Sequence, residues 1–366
     1  MTTTTPVRTP LLEIRDLHVS FPTDDGVVHA VNGMDLTLAR GETVGIVGES
    51  GSGKTVTSQA LMGLFKGSRA TVSGQILLDG EDLVPLTEAQ MRAYRGKKIA
   101  MIFQDPLSAM HPFYPVGAQI AEAYRVHNAV SRKAAAAVAV DMLGRVGIPD
   151  PARRYSAYPH EFSGGMRQRA MIAMALVCEP ELLIADEPTT ALDVTVQAQI
   201  LDLLGELQSE TGASVILVTH DLGVVAEVCH QVVVMYGGEC VEQATVAELF
   251  RDPRHPYTQG LLASMPSLAG TSDRLAPIPG FPPSLLALPD GCLFADRCPQ
   301  THQVPDQACT TTRPTLTVGA GSVGHPSRCH LTPTEPAPPT EPAPPTNPAP
   351  PTNPARPTDP AREVAR

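Results

Sequence analysis

Tryptophan is absent from this chain and aromatic residues make up only 4% of it, too few π-faces for a platform that stacks sugars or single-stranded nucleic acid. Basic residues are also short: 27 Lys and Arg stand against 38 Asp and Glu, a net charge of −11. A chain this acidic repels a phosphate backbone, which argues against a nucleic-acid partner. No run of about 18 apolar residues is free of charge, so no segment is expected to span a bilayer. Met1–Pro10 is Thr-rich and lacks the apolar stretch of a secretory signal. The expected setting is cytosolic, where the seven cysteines stay reduced or hold a metal.

What is present suits two domains, or one with appendages: 366 residues, 42% of them apolar. Period-2 alternation predicts strands at Leu11–Phe21 and Met34–Leu38, with a short one at Gly74–Leu78. The continuous apolar runs Thr43–Val47, Leu182–Ala185, Val215–Thr219 and Val232–Met235 predict buried parallel strands. Helical periods fit Lys54–Leu64, Lys133–Val146, Gln168–Cys178 and Val196–Leu207. This rhythm predicts an α/β fold, a mostly parallel sheet with helices on both faces. Residues from about 88 to 165 are mainly helical in pattern and are expected to form an inserted helical subdomain. From Thr334 a six-residue repeat (TEPAPP, TEPAPP, TNPAPP, TNPARP, TDPARE) carries no large apolar residue before Val364. Such a tail cannot bury a core, and residues 333–366 are expected to be extended and disordered, as is the segment 1–10.

Three short segments point to one chemistry. Gly48-Glu49-Ser50-Gly51-Ser52-Gly53-Lys54-Thr55 matches G-x-x-x-x-G-K-[ST], following a predicted buried strand and opening a predicted helix. The glycines let backbone N–H groups turn inward around a phosphate, while Lys54 would bridge the β- and γ-phosphates and Thr55 would ligate Mg²⁺. Asp186-Glu187 end an apolar strand, where ligands bind in parallel sheets. Asp186 can hold Mg²⁺ through water, leaving Glu187 to polarise the attacking water. Finally, Ser163 suits a helix N-cap, and Gly164-Gly165 after it permit close approach of an anion to a second helix start.

With Phe162-Ser163-Gly164-Gly165-Met166 in place of the usual LSGGQ, the sequence resembles the ATP-binding subunits of ABC transporters over residues 11 to about 330. The other marks of that family fall in order: Gln104 in Phe103-Gln104-Asp105, Asp193 in Ala191-Leu192-Asp193, His220 in Thr219-His220-Asp221, and Phe21 at the position of the aromatic beneath adenine. The resemblance implies an ABC-type nucleotide-binding domain at 11–250, with an antiparallel β subdomain and the inserted helical subdomain. It further implies ATP and Mg²⁺ as ligands, Glu187 as base or water-positioner, His220 on the γ-phosphate, and Gln104 between Mg²⁺, water and the membrane-facing surface. Asp193 would report across a dimer in which Ser163–Gly165 of one subunit meet ATP held by the other.

The segment Gly291–Pro299, preceded by His255-Pro256-Tyr257, is similar to the carboxyl-terminal extension of oligopeptide, dipeptide and nickel importers, here 251–332. The resemblance extends to one of their two unlike ATPase subunits, the D-type. Expected partners are therefore a second, unlike ATPase subunit, two transmembrane permeases and, indirectly, an extracytoplasmic binding protein, at the cytoplasmic face of the membrane. Some such extensions hold a [4Fe–4S] cluster. Cys292, Cys298, Cys309 and Cys329 offer four thiolates for iron–sulfur or Zn²⁺, with no C-x-x-C to favour zinc. Cys178, Cys229 and Cys240 are expected as small core residues. The alternatives are a nickel or other solute importer, and a non-transport ATPase of repair, chromosome or translation type. The latter would need long coiled coils, zinc modules or a second cassette, for which the sequence has no counterpart.

Overall fold

Alternating side chains build the first sheet. Strands β1 (Pro10–Thr23) and β2 (Gly26–Ala39) form an antiparallel hairpin whose Leu12, Ile14, Leu17 and Val19 are buried. The register shifts between Ile14 and Leu17, where Asp16 takes φ 48°, so the inward face is kept across the bulge. The chain crosses to a second sheet through β3 (Thr43–Val47) and returns through β4 (Thr71–Leu78) and β5 (Glu81–Asp82) to give the order β2-β1-β4-β5. The computed structural model describes residues 10–190, 192–265, 277–318 and 324–332. The expectations for the residues before Pro10 and for the tail from 333 lie outside them.

In the second sheet β3 is joined by β6 (Ile99–Ile102), β7 (Leu182–Asp186), β8 (Ser214–Thr219), β9 (Gln231–Tyr236), β10 (Glu239–Thr245), β11 (Thr317–Val318) and β12 (Pro326–Ser327). These eight strands lie in the order β11-β12-β10-β9-β3-β8-β7-β6. Strands β9, β3, β8, β7 and β6 run parallel, and β10, β12 and β11 add on antiparallel. The apolar runs divide between two layers. Leu183, Ala185, Val215 and Leu217 face a core shared with the helices Val116–His127, Arg132–Arg145, Gly164–Leu176 and Val194–Thr211. Leu182, Ile184, Ile216 and Val218 face a core shared with the first sheet. Each such buried Leu or Ile contributes about 2 kcal/mol, which is why these strands carry no polar face.

The strand β6 was hidden by its length. Four residues after Lys97-Lys98 give too little alternation to read, yet Ile99–Ile102 are all buried on the sheet edge beside β7. Beyond Ile102 the chain turns helical, with short helices at Pro106–Ala109 and Pro151–Arg154 flanking the two long ones.

The segment after β10 packs on a third core, where Tyr236, Val241, Tyr257, Leu293 and Phe294 are buried. Its anchor is Glu242 on β10, which is fully buried. Its carboxylate accepts from the amides of Arg254 (2.7 Å) and His255 (2.9 Å) and shares a 2.7 Å hydrogen bond with His325 Nε2. Burial pushes this carboxyl upward, but the hydrogen bonds outweigh it and hold the group below the usual carboxylate range.

Candidate active site

Because β3, β6, β7 and β8 are parallel, their carboxyl ends open on one side of the sheet. From β3 comes the loop Gly48–Gly53. Two of its glycines are imposed by contact: a Cβ on Gly48 (φ 153°) would lie 2.2 Å from Met235 O, and one on Gly53 (φ 101°) 2.5 Å from Ala30 O. Lys54 opens the helix Lys54–Leu61 with its side chain folded back under the loop, where Nζ donates to Gly48 O (2.7 Å) and Glu49 O (3.0 Å). Burial lowers the Lys54 pKa, while Glu187, Asp186 and Glu49 oppose that drop. Ser52 Oγ is buried without a hydrogen-bond partner, in a loop built to take up an anion. Ser50 and Gly51 are exposed on the rim.

From β7 come Asp186 and Glu187. The Thr55 hydroxyl donates to Asp186 Oδ1 at 3.3 Å. Burial raises the Asp186 pKa from 3.8 to about 6, with the Thr55 bond and Lys54 partly offsetting it and Glu187 adding to it. A buried carboxylate and a hydroxyl side by side are hard oxygen donors of the kind Mg²⁺ takes. The residues fit that ion. Glu187 leaves the strand at φ 47°, its amide donating to Val218 O at 2.8 Å. Its carboxylate accepts from Gln104 Nε2 (3.0 Å) and from the Thr190 hydroxyl (2.8 Å), and Oε1 lies 3.6 Å from His220 Nδ1. Gln104 arrives from the end of β6 and His220 from the end of β8, where the His220 side chain is exposed. Sequence reasoning missed Thr190; its place three residues after Glu187 was the available signal.

Ser163 is the N-cap of the helix Gly164–Leu176, its Oγ accepting from Met166 N at 3.3 Å. Ser163 and Gly164 are exposed, and Gly165 is backed by Val196. Gln168, one turn on, is buried and donates to Pro188 O at 2.5 Å, tying this helix to the segment after Glu187. Asp193 caps the helix Val194–Thr211 through Thr195 N (3.1 Å) and Val196 N (3.0 Å); Ala191, two residues before it, lies outside the described residues. Phe21 is half-buried near the end of β1, its ring edge-on to Phe65 at 5.1 Å.

Two sequence families match this chain: "ABC transporter" over residues 31–190 and "Oligopeptide/dipeptide transporter, C-terminal region" over 241–304. The chain is similar to the dipeptide transport ATP-binding protein DppD of Bacillus subtilis (strain 168), 54% identical over 298 residues that cover 81% of this chain and 89% of DppD. The chain belongs to the ATP-binding subunits of ABC transporters. The oligopeptide transport ATP-binding protein OppD of Haemophilus influenzae is 52% identical over 289 residues, 79% of this chain and 89% of that protein. Among solved structures, the dimeric ATP-binding cassette MJ0796 in a post-hydrolysis state with ADP and Pi has a TM-score of 0.58 at 26% identity, covering 64% of this chain and 98% of that one. This ABC ATPase hydrolyses ATP, and its ligand is ATP with Mg²⁺. No helix among the described residues is long and apolar enough to cross a membrane.

The ABC cassette also makes contacts that no motif announced. His255 of His255-Pro256-Tyr257 is buried, caps the helix Pro256–Ala263 by accepting from Tyr257 N at 3.1 Å, and has its pKa pushed down to about 4 by burial. Tyr257 is buried beneath the phosphate loop, its hydroxyl oxygen accepting from Glu49 N at 2.9 Å. Arg297 reaches the same Glu49 with two hydrogen bonds, at 2.8 and 3.0 Å. A separation of 248 residues left no local signal for that pair.

The iron–sulfur expectation finds no support. Cys292, Cys298, Cys309 and Cys329 do line one cavity, but it measures about 10 Å³, room for about one water. Among the described residues no group of three or more His, Cys, Asp and Glu is close enough to hold a metal ion. Burial raises the Cys292 thiol to about 12 and pushes Cys309 and Cys329 up as well. Cys240 is buried and Cys178 and Cys229 half-buried in the cores.

Proposed function

We propose that this ABC ATPase powers a peptide importer. It would act at the cytoplasmic face of the membrane, paired with a second and unlike ATPase subunit, two permeases and, through them, an extracytoplasmic binding protein. The observation that carries the reading is the gathering of Lys54, Thr55, Asp186, Glu187, Gln104 and His220 at one edge of the sheet. The peptide cargo is carried by the dipeptide and oligopeptide names of the relatives.

In this reading the amides from Gly48 to Gly53, Ser50 and Ser52 among them, cradle the β-phosphate, and Lys54 exchanges its loop carbonyls for β- and γ-oxygens. Thr55, Asp186 and Gln104 would hold Mg²⁺, which would neutralise charge developing between the phosphates. Glu187 orients and polarises the attacking water, held by Gln104 and Thr190, and His220 meets the γ-phosphate. Phe21 supports the adenine. Ser163, Gly164 and Gly165 of one subunit complete the γ-phosphate shell in the other, with Asp193 at the seam, so closure follows ATP binding and opening follows its cleavage. The finer reading of the extension, four thiolates around a [4Fe–4S] cluster, has only the convergence of the cysteines behind it. Iron and acid-labile sulfide in anaerobically purified protein would carry it, and colourless protein without them would end it.

The test is reconstitution of the chain with its neighbouring permease and ATPase genes in vesicles. ATP hydrolysis should rise when peptide-loaded binding protein is added, and peptide uptake should vanish with Lys54→Ala. Uptake that persists in that variant with the partner site also disabled would refute the reading.

A further inference from the structure

All three polar handles of Glu49 are held. Its N–H donates to the Tyr257 hydroxyl, its C=O accepts from Lys54 Nζ, and its carboxylate is gripped at 2.8 and 3.0 Å by Arg297. Two of these three grips come from beyond the cassette's last parallel strand. Arg297 is itself fixed: it donates from Nε to Pro279 O (2.9 Å), from Nη2 to Ile278 O (3.2 Å) and from Nη1 to the Tyr236 hydroxyl (3.2 Å). Its guanidinium also lies 5.6 Å from the Tyr236 ring centre and 5.8 Å from that of Phe294. Only 5% of the Arg297 side chain is exposed, against 28% for Glu49.

A fork this well placed serves more than local packing, because of where Glu49 stands. It is the first residue after the opening glycine of the phosphate loop, and its carboxylate shares that loop with the site of a triphosphate. An unneutralised carboxylate there repels the ligand. A bidentate guanidinium cancels its charge and turns it outward, toward the extension. We propose that Arg297 is a positioning residue for ATP binding: the carboxyl-terminal extension neutralises and aims the phosphate loop through Glu49. This rests on the loop's being the ATP site.

The test is a double-mutant cycle on the full-length chain, read as affinity for a fluorescent ATP analogue with Mg²⁺, with thermal unfolding followed in parallel. Arg297→Gln should weaken binding roughly tenfold in the wild-type background, the size expected for one lost charge-assisted pair. Arg297→Lys, which keeps the charge but not the fork, should stay within about threefold of wild type. With Glu49→Gln already present there is no carboxylate to neutralise, and Arg297→Gln should then cost less than about threefold. Equal losses in both backgrounds, or no loss from a folded Arg297→Gln protein, overturn the proposal. Should Arg297→Gln fail to fold, the same cycle run with Arg297→Met, neutral and of similar length, must show a roughly tenfold loss shrinking below about threefold in the Glu49→Gln background, and equal losses overturn the proposal. Wild-type protein that binds no nucleotide, or Lys54→Ala protein that binds it as well, would instead strike down the nucleotide site itself.

Discussion

Gln104 donates its amide hydrogen to Glu187 Oε2 at 3.0 Å, joining the end of the edge strand β6 to the end of β7. The Thr190 hydroxyl donates to the same oxygen, so the carboxylate is aimed before any ligand arrives. Glu187→Gln should keep ATP binding and cut hydrolysis by about 10² to 10⁴, the usual loss on removing a positioned base. Steady-state phosphate release beside nucleotide retention would measure both, and a normal hydrolysis rate would show the base to be elsewhere. Thr190→Val should lower turnover about tenfold or less while leaving ATP affinity unchanged.

With Asp186 as a Mg²⁺ ligand, metal-dependent binding should be sensitive to pH. Its folded pKa of about 6 lies above the ordinary 3.8. The folded chain therefore keeps a proton that the unfolded chain has released, and nucleotide-free stability falls as pH rises between about 4 and 6. A cation on the charged form runs the opposite way, because the proton competes with it. Mg²⁺-dependent ATP affinity should drop as pH falls through about 6, and Asp186→Asn should flatten that dependence while weakening binding throughout. Titrations at pH values about one unit apart on either side of 6 would decide it, and a wild-type affinity indifferent to pH would contradict the assignment.

The loop glycines should separate stability from binding. Gly48→Ala forces a Cβ onto Met235 O at 2.2 Å and should destabilise the fold by at least about 2 kcal/mol, visible as a lowered denaturation midpoint. Gly51, at φ 79°, has nothing within 4 Å of a built Cβ. Gly51→Ala should cost only the backbone term of about 1–2 kcal/mol and act mainly on ATP affinity. Equal midpoints for the two variants would show the Met235 contact to be soft.

Much of the site could be read from sequence because its parts are local. A buried strand, a glycine turn and a lysine opening a helix adjoin one another along the chain, and Asp186–Glu187 directly follow the run that places them. The buried parallel strands separated by helices made the sheet legible in the same way, except for β6, whose four residues are too few for a period. What stayed hidden depends on distance along the chain. The grip of Arg297 and Tyr257 on Glu49 is made by residues that look like ordinary members of a Pro-punctuated segment. Nothing in His255-Pro256-Tyr257 told that its histidine would cap a helix or that its tyrosine hydroxyl would lie under the phosphate loop.

Glu242 has a bearing on how firmly the extension is joined to the cassette. Its carboxylate is buried on the last long strand of the cassette, and the Arg254 and His255 amides and His325 that meet it all come from the extension beyond that strand. Losing the His325 donor while the rest of the extension still covers the site leaves that carboxylate buried and short of a partner, a penalty of several kcal/mol. The joint therefore ties the last long strand and the segment after it into one cooperative piece.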